Sequence, residues 1–175
     1  SHASFIPSLC FVLLKSWGQE ASLTLQHLIL SGEPLTPQTA ALFLSATSAF
    51  DVSSVWNFYG QTEASAYATG VCLDSKVPSL PSSMNASIAI GTLLPNVHCV
   101  VIDPILRSSV PLNVVGLLLL SGMHLSCGYI NDPQTTFGAF LYEPIHTSRL
   151  YSTGDRVRWL ASGDLEYCEI GRAHV

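Results

Sequence analysis

Two short stretches carry residue types that could do chemistry together. Asn57-Phe58-Tyr59-Gly60-Gln61-Thr62-Glu63 sets an amide, aromatic rings, a glycine, a hydroxyl and a carboxylate side by side. These groups suit a nucleotide with a metal ion: a ring to stack on a base, backbone that can come close, and a carboxylate for Mg²⁺. Tyr151-Ser152-Thr153-Gly154-Asp155 offers a second carboxylate, after a glycine, of the kind that accepts hydrogen bonds from a ribose diol. Each has a plainer reading. The first fits a strand, a glycine turn and a polar cap; the second fits a polar hairpin turn before a strand at Arg156–Leu160.

The elements that must position these residues follow from apolar spacing. Pro7 to Trp17 reads as a short helix, and Leu23 to Leu30 as a buried strand ending at Ser31-Gly32. Thr36-Pro37 is a helix start, a hydroxyl cap followed by proline in the first turn, and the helix runs to about Ser48. Val52 to Tyr59 is the next strand, stopped by Gly60. Strand, helix and strand in this order imply a parallel α/β unit, in which ligands gather at the carboxyl ends of the strands. Both Gly32-Glu33 and the Asn57–Glu63 stretch fall at such ends.

From Asp74 to Ser87 the composition turns to Ser, Pro and Asn, which reads as a loop. Beyond it, short apolar runs at Ile88–Ile90, Val97–Ile102, Val114–Leu120 and Val157–Leu160 are split by Gly, Pro, Asn and Asp. This half reads as a small β-barrel or sandwich, with a helical turn at Gln134–Phe140.

Composition narrows the function classes. Charged residues make up 11% of the chain, against roughly 25% in ordinary soluble domains. Mean hydropathy is +0.38, so some apolar surface is expected to meet further protein. The net charge of −5, with no basic cluster, argues against a nucleic-acid partner. No apolar run reaches the roughly 18 residues of a membrane span, and Phe5 to Leu14 is broken by Pro7 and lacks a basic flank, so no signal peptide or membrane segment is expected. The five cysteines show no paired metal-ligand spacing and read as reduced thiols of a cytoplasmic protein, with no zinc site.

Taken together, the motifs resemble the adenylation domains of nonribosomal peptide synthetases, within the acyl-adenylate-forming superfamily. The match runs in order over about residues 3–168. Leu30-Ser31-Gly32-Glu33-Pro34-Leu35 is similar to the family's glycine-glutamate turn, and Asn57 to Glu63 resembles N-x-Y-G-P-T-E. Ile90 to Asn96, followed by Val100 to Asp103, resembles the start of the family's β-barrel subdomain. Gly116 to Ile130 resembles G-E-L-x-I-x-G…A-R-G-Y-L. Tyr151 to Tyr167 resembles Y-R-T-G-D-L-V-R-W-L-x-x-G-D-L-E-Y, which separates peptide synthetases from most acyl-CoA ligases.

The resemblance implies an α/β fold with residues 1–87 ending one α/β subdomain and residues 88–168 forming a small distorted β-barrel. By the same resemblance Asn57 and Tyr59 bind adenine, Gly60 lets backbone approach the nucleotide, and Thr62 reaches the α-phosphate. Glu63 binds Mg²⁺, and Asp155 holds the ribose; Thr62 and Glu63 are the implied catalytic pair. The amino-acid pocket is carried over to Ile29, Ser31, Gly32, Phe58, Ala66 and Tyr67, with Ser4 beside them. None of these is charged, which favours a neutral substrate side chain. The implied reaction is ATP-dependent formation of an aminoacyl-AMP, then transfer to the phosphopantetheine thiol of a carrier domain, beside a condensation domain in one synthetase. The alternatives are an acyl-CoA ligase type of adenylate-forming enzyme, or a degenerate nucleotide-binding module without catalysis.

Departures from the family pattern keep the last alternative open. Gln61 replaces the motif's proline, which is expected to loosen the turn. Leu117 stands in place of glutamate, Cys127 of arginine, Ser152 of arginine or lysine, and Arg156 of an apolar residue. The family's phosphate loop and catalytic lysine do not match anything in the chain, so the 175 residues alone are expected to be inactive. Residues 169–175 leave the family pattern and read as a non-native tail, because Ile170 to Val175 match one translated frame of a sequencing adapter.

Overall fold

The computed structural model describes residues 2–16, 24–47, 51–73, 88–143 and 148–170. Its first half is the expected parallel unit. Strands β1 (His2–Phe5), β2 (Thr24–Leu30) and β3 (Asp51–Tyr59) pair in parallel. Helices α1 (Pro7–Ser16) and α2 (Pro37–Thr47) supply the connections. The cap at Thr36 forms as the sequence suggests: its hydroxyl accepts from the Thr39 amide at 3.2 Å.

Strand periodicity then decides which residues face which side. Leu28 and Leu30 of β2 and Val55 of β3 are buried with Cys10 of α1 and with Ala40 and Phe43 of α2. Asn57 and Tyr59 continue the Val55 face, so they emerge where this core runs out. Ile29, in register with Ser4 and Trp56, belongs to the opposite face, as does Phe58. The sheet thus separates the residues implied for the nucleotide from most of those implied for the amino acid.

After a single 3₁₀ turn at Thr62–Ala64, strand β4 (Thr69–Cys72) returns antiparallel to β3. β5 (Ala89–Leu93) pairs with β4 on one side and, on the other, with β10 (Leu165–Ile170). The remaining strands are β6 (Val97–Ile102), β7 (Gly116–Gly122), β8 (Phe140–Glu143) and β9 (Ser148–Trp159), with helix α3 (Pro133–Ala139) before β8. Among the described residues one ten-stranded mixed sheet results, in the order β1-β2-β3-β4-β5-β10-β9-β7-β6, with β8 alongside β9. The α/β class is borne out. Although β5 and β6 lie far apart along this ladder, Ile90 and Val97 enter one core with Leu118, Leu120, Val157 and Leu165.

Thr153-Gly154-Asp155 is not the hairpin turn that its composition suggests. It lies inside β9, where Leu117 pairs with Arg156 and Leu119 with Ser152. Thr153, Gly154 and Asp155 therefore stand opposite Leu118 alone, as a β-bulge. The bulge closes on itself: the Thr153 hydroxyl donates to the Leu118 carbonyl at 2.9 Å and accepts from the Asp155 amide at 3.0 Å. Gly154 takes φ +76°, the left-handed region where a Cβ is disfavoured. Sequence reasoning mistook a re-aimed strand for its end. The proposed loop at 74–87 and the tail from 171 lie outside the described residues, while Glu169 and Ile170 pair with Arg156 and Asp155.

The bulge leans on a fully buried side chain, Leu118. Leu118→Ala is expected to cost about 2–5 kcal/mol, the range for truncating a core leucine. A lowered urea midpoint with an unchanged m-value would register it; a loss under about 0.5 kcal/mol would contradict this packing.

Candidate active site

The segment after β2, the end of β3, β5, the β9 bulge and β10 surround a cavity of about 240 Å³. Its lining includes Glu33, Asn57, Tyr59, Gln61, Asp155 and Tyr167. The two stretches that opened the sequence reading therefore meet. The Tyr59 hydroxyl donates to Asp155 Oδ2 at 2.6 Å, and Gln61 Nε2 donates to the same oxygen at 2.8 Å. Tyr167 brings its hydroxyl to 3.5 Å from Oδ1, and its ring centroid lies 6.2 Å from that of Tyr59. Asp155 is 8% exposed, so these donors replace the water that its carboxylate has lost.

Gln61 does not loosen the turn. Its Oε1 accepts from the Tyr151 hydroxyl at 2.5 Å, and Nε2 donates to the Thr153 carbonyl at 3.0 Å as well as to Asp155. Its own carbonyl accepts from the amides of Ala64 and Ala66, closing the turn that carries Thr62 and Glu63. Sequence comparison with the motif flagged the position but missed what a side chain there could reach.

Glu63 is half-buried, and its Oε1 accepts from the Tyr129 hydroxyl at 2.6 Å. Its carbonyl accepts from Ser126, and Ser65 donates to the His124 carbonyl, so the segment after β7 is fastened to this turn. Arg149 secures that segment from the other side, donating to the carbonyls of Ser126 and Cys127 while its guanidinium lies 4.1 Å over the Phe140 ring. Thr62 is exposed beside Glu63. Among the described residues no three His, Cys, Asp or Glu side chains group as a metal site. A lone carboxylate with a second oxygen fits Mg²⁺, which is usually shared between one or two carboxylates, waters and substrate phosphates.

Gly60 has a different reason from the one the motif suggests. A Cβ there would lie 2.3 Å from the Ala66 carbonyl, so the chain's own returning loop requires glycine. That loop passes through Ser65 and Ala66 at φ 54° and 75°, two successive non-glycine residues in the left-handed region, where functional strain tends to gather. Asn57 is buried, and its amide donates to the Ala89 carbonyl at 3.4 Å.

On the other face, Tyr67 packs on Phe58 with ring centroids 5.0 Å apart and meets the Ser4 hydroxyl at 3.3 Å. Hydrogen bonds from Ser4 and Ser31 hold the Tyr67 phenol below its ordinary pKa. Ser4, Ser31, Phe58 and Tyr67 thus come together, with Ile29 in register beside Ser4 and Ala66 adjoining Tyr67. Gly32 lines the cavity described above and stands against Ile6, 3.2 Å from an added Cβ. Glu33 does structural work: its two oxygens accept from the Ser8 amide at 3.0 Å and the Ser8 hydroxyl at 2.8 Å, in the first turn of α1.

With this geometry in place, the family model for AMP-binding enzymes matches residues 1–130. The chain belongs to the AMP-binding enzyme family. Among curated AMP-binding relatives, it is 32% identical over 145 residues to surfactin synthase subunit 2 of Bacillus subtilis, covering 82% of this chain. It is 32% identical over 180 residues to the vanchrobactin synthetase VabF of Vibrio anguillarum, covering 97%. The chain spans only 4% and 6% of those proteins. Its fold superposes on an artificially fused adenylation–PCP di-domain NRPS from Klebsiella oxytoca with TM-score 0.80 at 23% identity, covering 98% of this chain and 33% of that one. The Klebsiella oxytoca NpsA N-terminal subdomain in complex with 3-hydroxybenzoyl-AMSN gives 0.78 at 23% identity, over 98% and 41%. The likeness to peptide-synthetase adenylation domains read from the motifs is borne out.

The buried phenols beside this cavity have a measurable signature. Burial, and then the Asp155 charge, push the Tyr59 pKa far above its ordinary value of 10; burial, and then Glu63, do the same for Tyr151. Above pH 10 the folded state holds protons that the unfolded state releases, so stability falls as pH rises through that region. Ultraviolet titration should show Tyr59 and Tyr151 ionising only with unfolding, a delay that Tyr59→Phe and Tyr151→Phe each reduce. Early ionisation of all six tyrosines in the folded protein would contradict it.

Proposed function

We propose that this chain forms the nucleotide-facing wall of a domain that activates an amino acid with ATP in nonribosomal peptide synthesis. The observation that carries the reading is the convergence of Tyr59, Asp155 and Tyr167 on one cavity behind the Thr62–Glu63 turn. In this reading residues 1–87 complete an α/β subdomain and residues 88–168 a barrel subdomain.

Each side chain then has a task. Asp155 accepts from the ribose hydroxyls, for which Oδ1 is the less occupied oxygen. The Tyr59 ring stacks on adenine, its hydroxyl tied back so that the ring plane is set before binding. Asn57 meets the adenine amino group at the cavity wall. Thr62, exposed at the start of the 3₁₀ turn, donates to an α-phosphate oxygen. Glu63 would hold Mg²⁺, which neutralises charge on the phosphates when bound.

The amino-acid carboxylate attacks the α-phosphorus, forming the acyl-phosphate bond as pyrophosphate departs. The chain's part is positioning and charge stabilisation rather than covalent catalysis. Ile29, Ser31, Phe58, Ala66 and Tyr67 give an uncharged setting for the substrate side chain. The aminoacyl group passes to a carrier-domain phosphopantetheine thiol, and a condensation domain of the same synthetase uses it.

The test is amino-acid-dependent ATP–pyrophosphate exchange by the adenylation domain that contains this chain. Glu63→Ala should reduce exchange by at least about 100-fold, the scale for losing a positioned charge in phosphoryl chemistry, whereas Asp155→Asn should act chiefly through KM for ATP. An intact domain that exchanges with no amino acid, or a Glu63→Ala variant with full activity, would overturn the assignment.

A further inference from the structure

We propose that Gln61 is a positioning residue that orients the Asp155 carboxylate for the nucleotide sugar, so that preference for ribose over 2′-deoxyribose depends on its amide. The inference rests on the nucleotide reading of the cavity and adds to it a residue that the resembling motif does not have.

Three features carry it. Both donors and the oxygen of the Gln61 amide are engaged: Oε1 by the Tyr151 hydroxyl at 2.5 Å, Nε2 by the Thr153 carbonyl at 3.0 Å and Asp155 Oδ2 at 2.8 Å. The amide orientation follows from its partners, since the flipped form would set an oxygen against a carbonyl and a carboxylate. Both Nε2 acceptors belong to the bulge that aims Asp155, so the amide fixes the backbone and the side chain together.

With Oδ2 taking donors from Tyr59 and Gln61, the carboxylate cannot rotate without breaking a charge-assisted bond. Oδ1, approached among the described residues by Tyr167 at 3.5 Å, is thereby presented as the acceptor. A proline at this position supplies no side-chain donor. Moreover, Gln61 has φ −131°, well outside the proline range. The glutamine backbone and its clamp form a different local solution from the motif's proline.

Affinities for ATP and 2′-deoxyATP, measured by calorimetry on the adenylation domain containing this chain, test the proposal without requiring turnover. Gln61→Leu removes both ends of the clamp at similar volume. It should cut the ATP preference by about fivefold, as expected for an indirect effect on one hydrogen bond to a charged group. In exchange assays the change should appear in KM for ATP more than in kcat. Gln61→Glu keeps the acceptor for Tyr151 but sets a carboxylate against Asp155, so its ATP affinity should fall below that of Gln61→Leu.

Asp155→Asn should abolish the preference, and adding Gln61→Leu should then change it no further. If Asp155→Asn loses the preference while Gln61→Leu keeps it, the clamp proposal is overturned and the nucleotide reading stands. A Gln61→Leu domain that is only less stable, with its sugar preference intact, overturns it too. If Asp155→Asn itself leaves the preference unchanged, the ribose assignment falls and takes this inference with it.

Discussion

The structure depends on satisfying the hydrogen-bonding needs of one carboxylate in a nearly dry place. Asp155 sits at the seam between the parallel strands and the antiparallel strands, and its donors come from both sides: Tyr59 and Gln61 from the end of β3, Tyr167 from β10. An unpaired buried charge is costly, so these bonds do more than decorate a cavity. They hold two separately cored regions at a fixed distance. The bulge in β9 exists in the same service, since an unbroken ladder would turn the residue at 155 by the ordinary alternation of a strand.

The parallel unit was legible in the sequence because periodicity, capping and a glycine stop all agreed there. Thr36-Pro37 opened α2, and Val52 to Tyr59 was a strand within one residue of the observed β3. β9 was illegible for a physical reason. Thr153-Gly154-Asp155 has the composition of a turn, and a bulge uses the same left-handed glycine inside a strand. Only the partner strand, with Leu118 opposite all three residues, distinguishes them. The roles of Gly60 and Gln61 were hidden likewise, because Ala66, Tyr151 and Thr153 are brought to them by the fold. Motif resemblance named the residues of the site, and it could not say which of them serve the protein's own backbone.

The departures from the family pattern also change character in three dimensions. Leu117 and Arg156, each a loss when taken singly, are direct partners across β7 and β9. Leucine thus faces arginine across the ladder, so the two departures form one cross-strand pair, and such pairs are the unit of sheet stabilisation. Cys127 replaces an arginine, yet a guanidinium is present at that carbonyl, supplied by Arg149. These substitutions resemble compensated change more than decay.

The junction at β5 has a consequence for recombining members of this family. Residues 74–87 are an inviting place to splice halves of two adenylation domains, lying between β4 and β5 in sequence. The splice would nevertheless cut across a close contact, because a Cβ on Gly91 would fall 2.2 Å from the Gly70 carbonyl. A donor half carrying any larger residue at 91 would have to move β4, and β4 is paired with the strand that ends in Tyr59. Compatibility between halves is therefore set less by the splice point than by a single missing methyl group several residues beyond it.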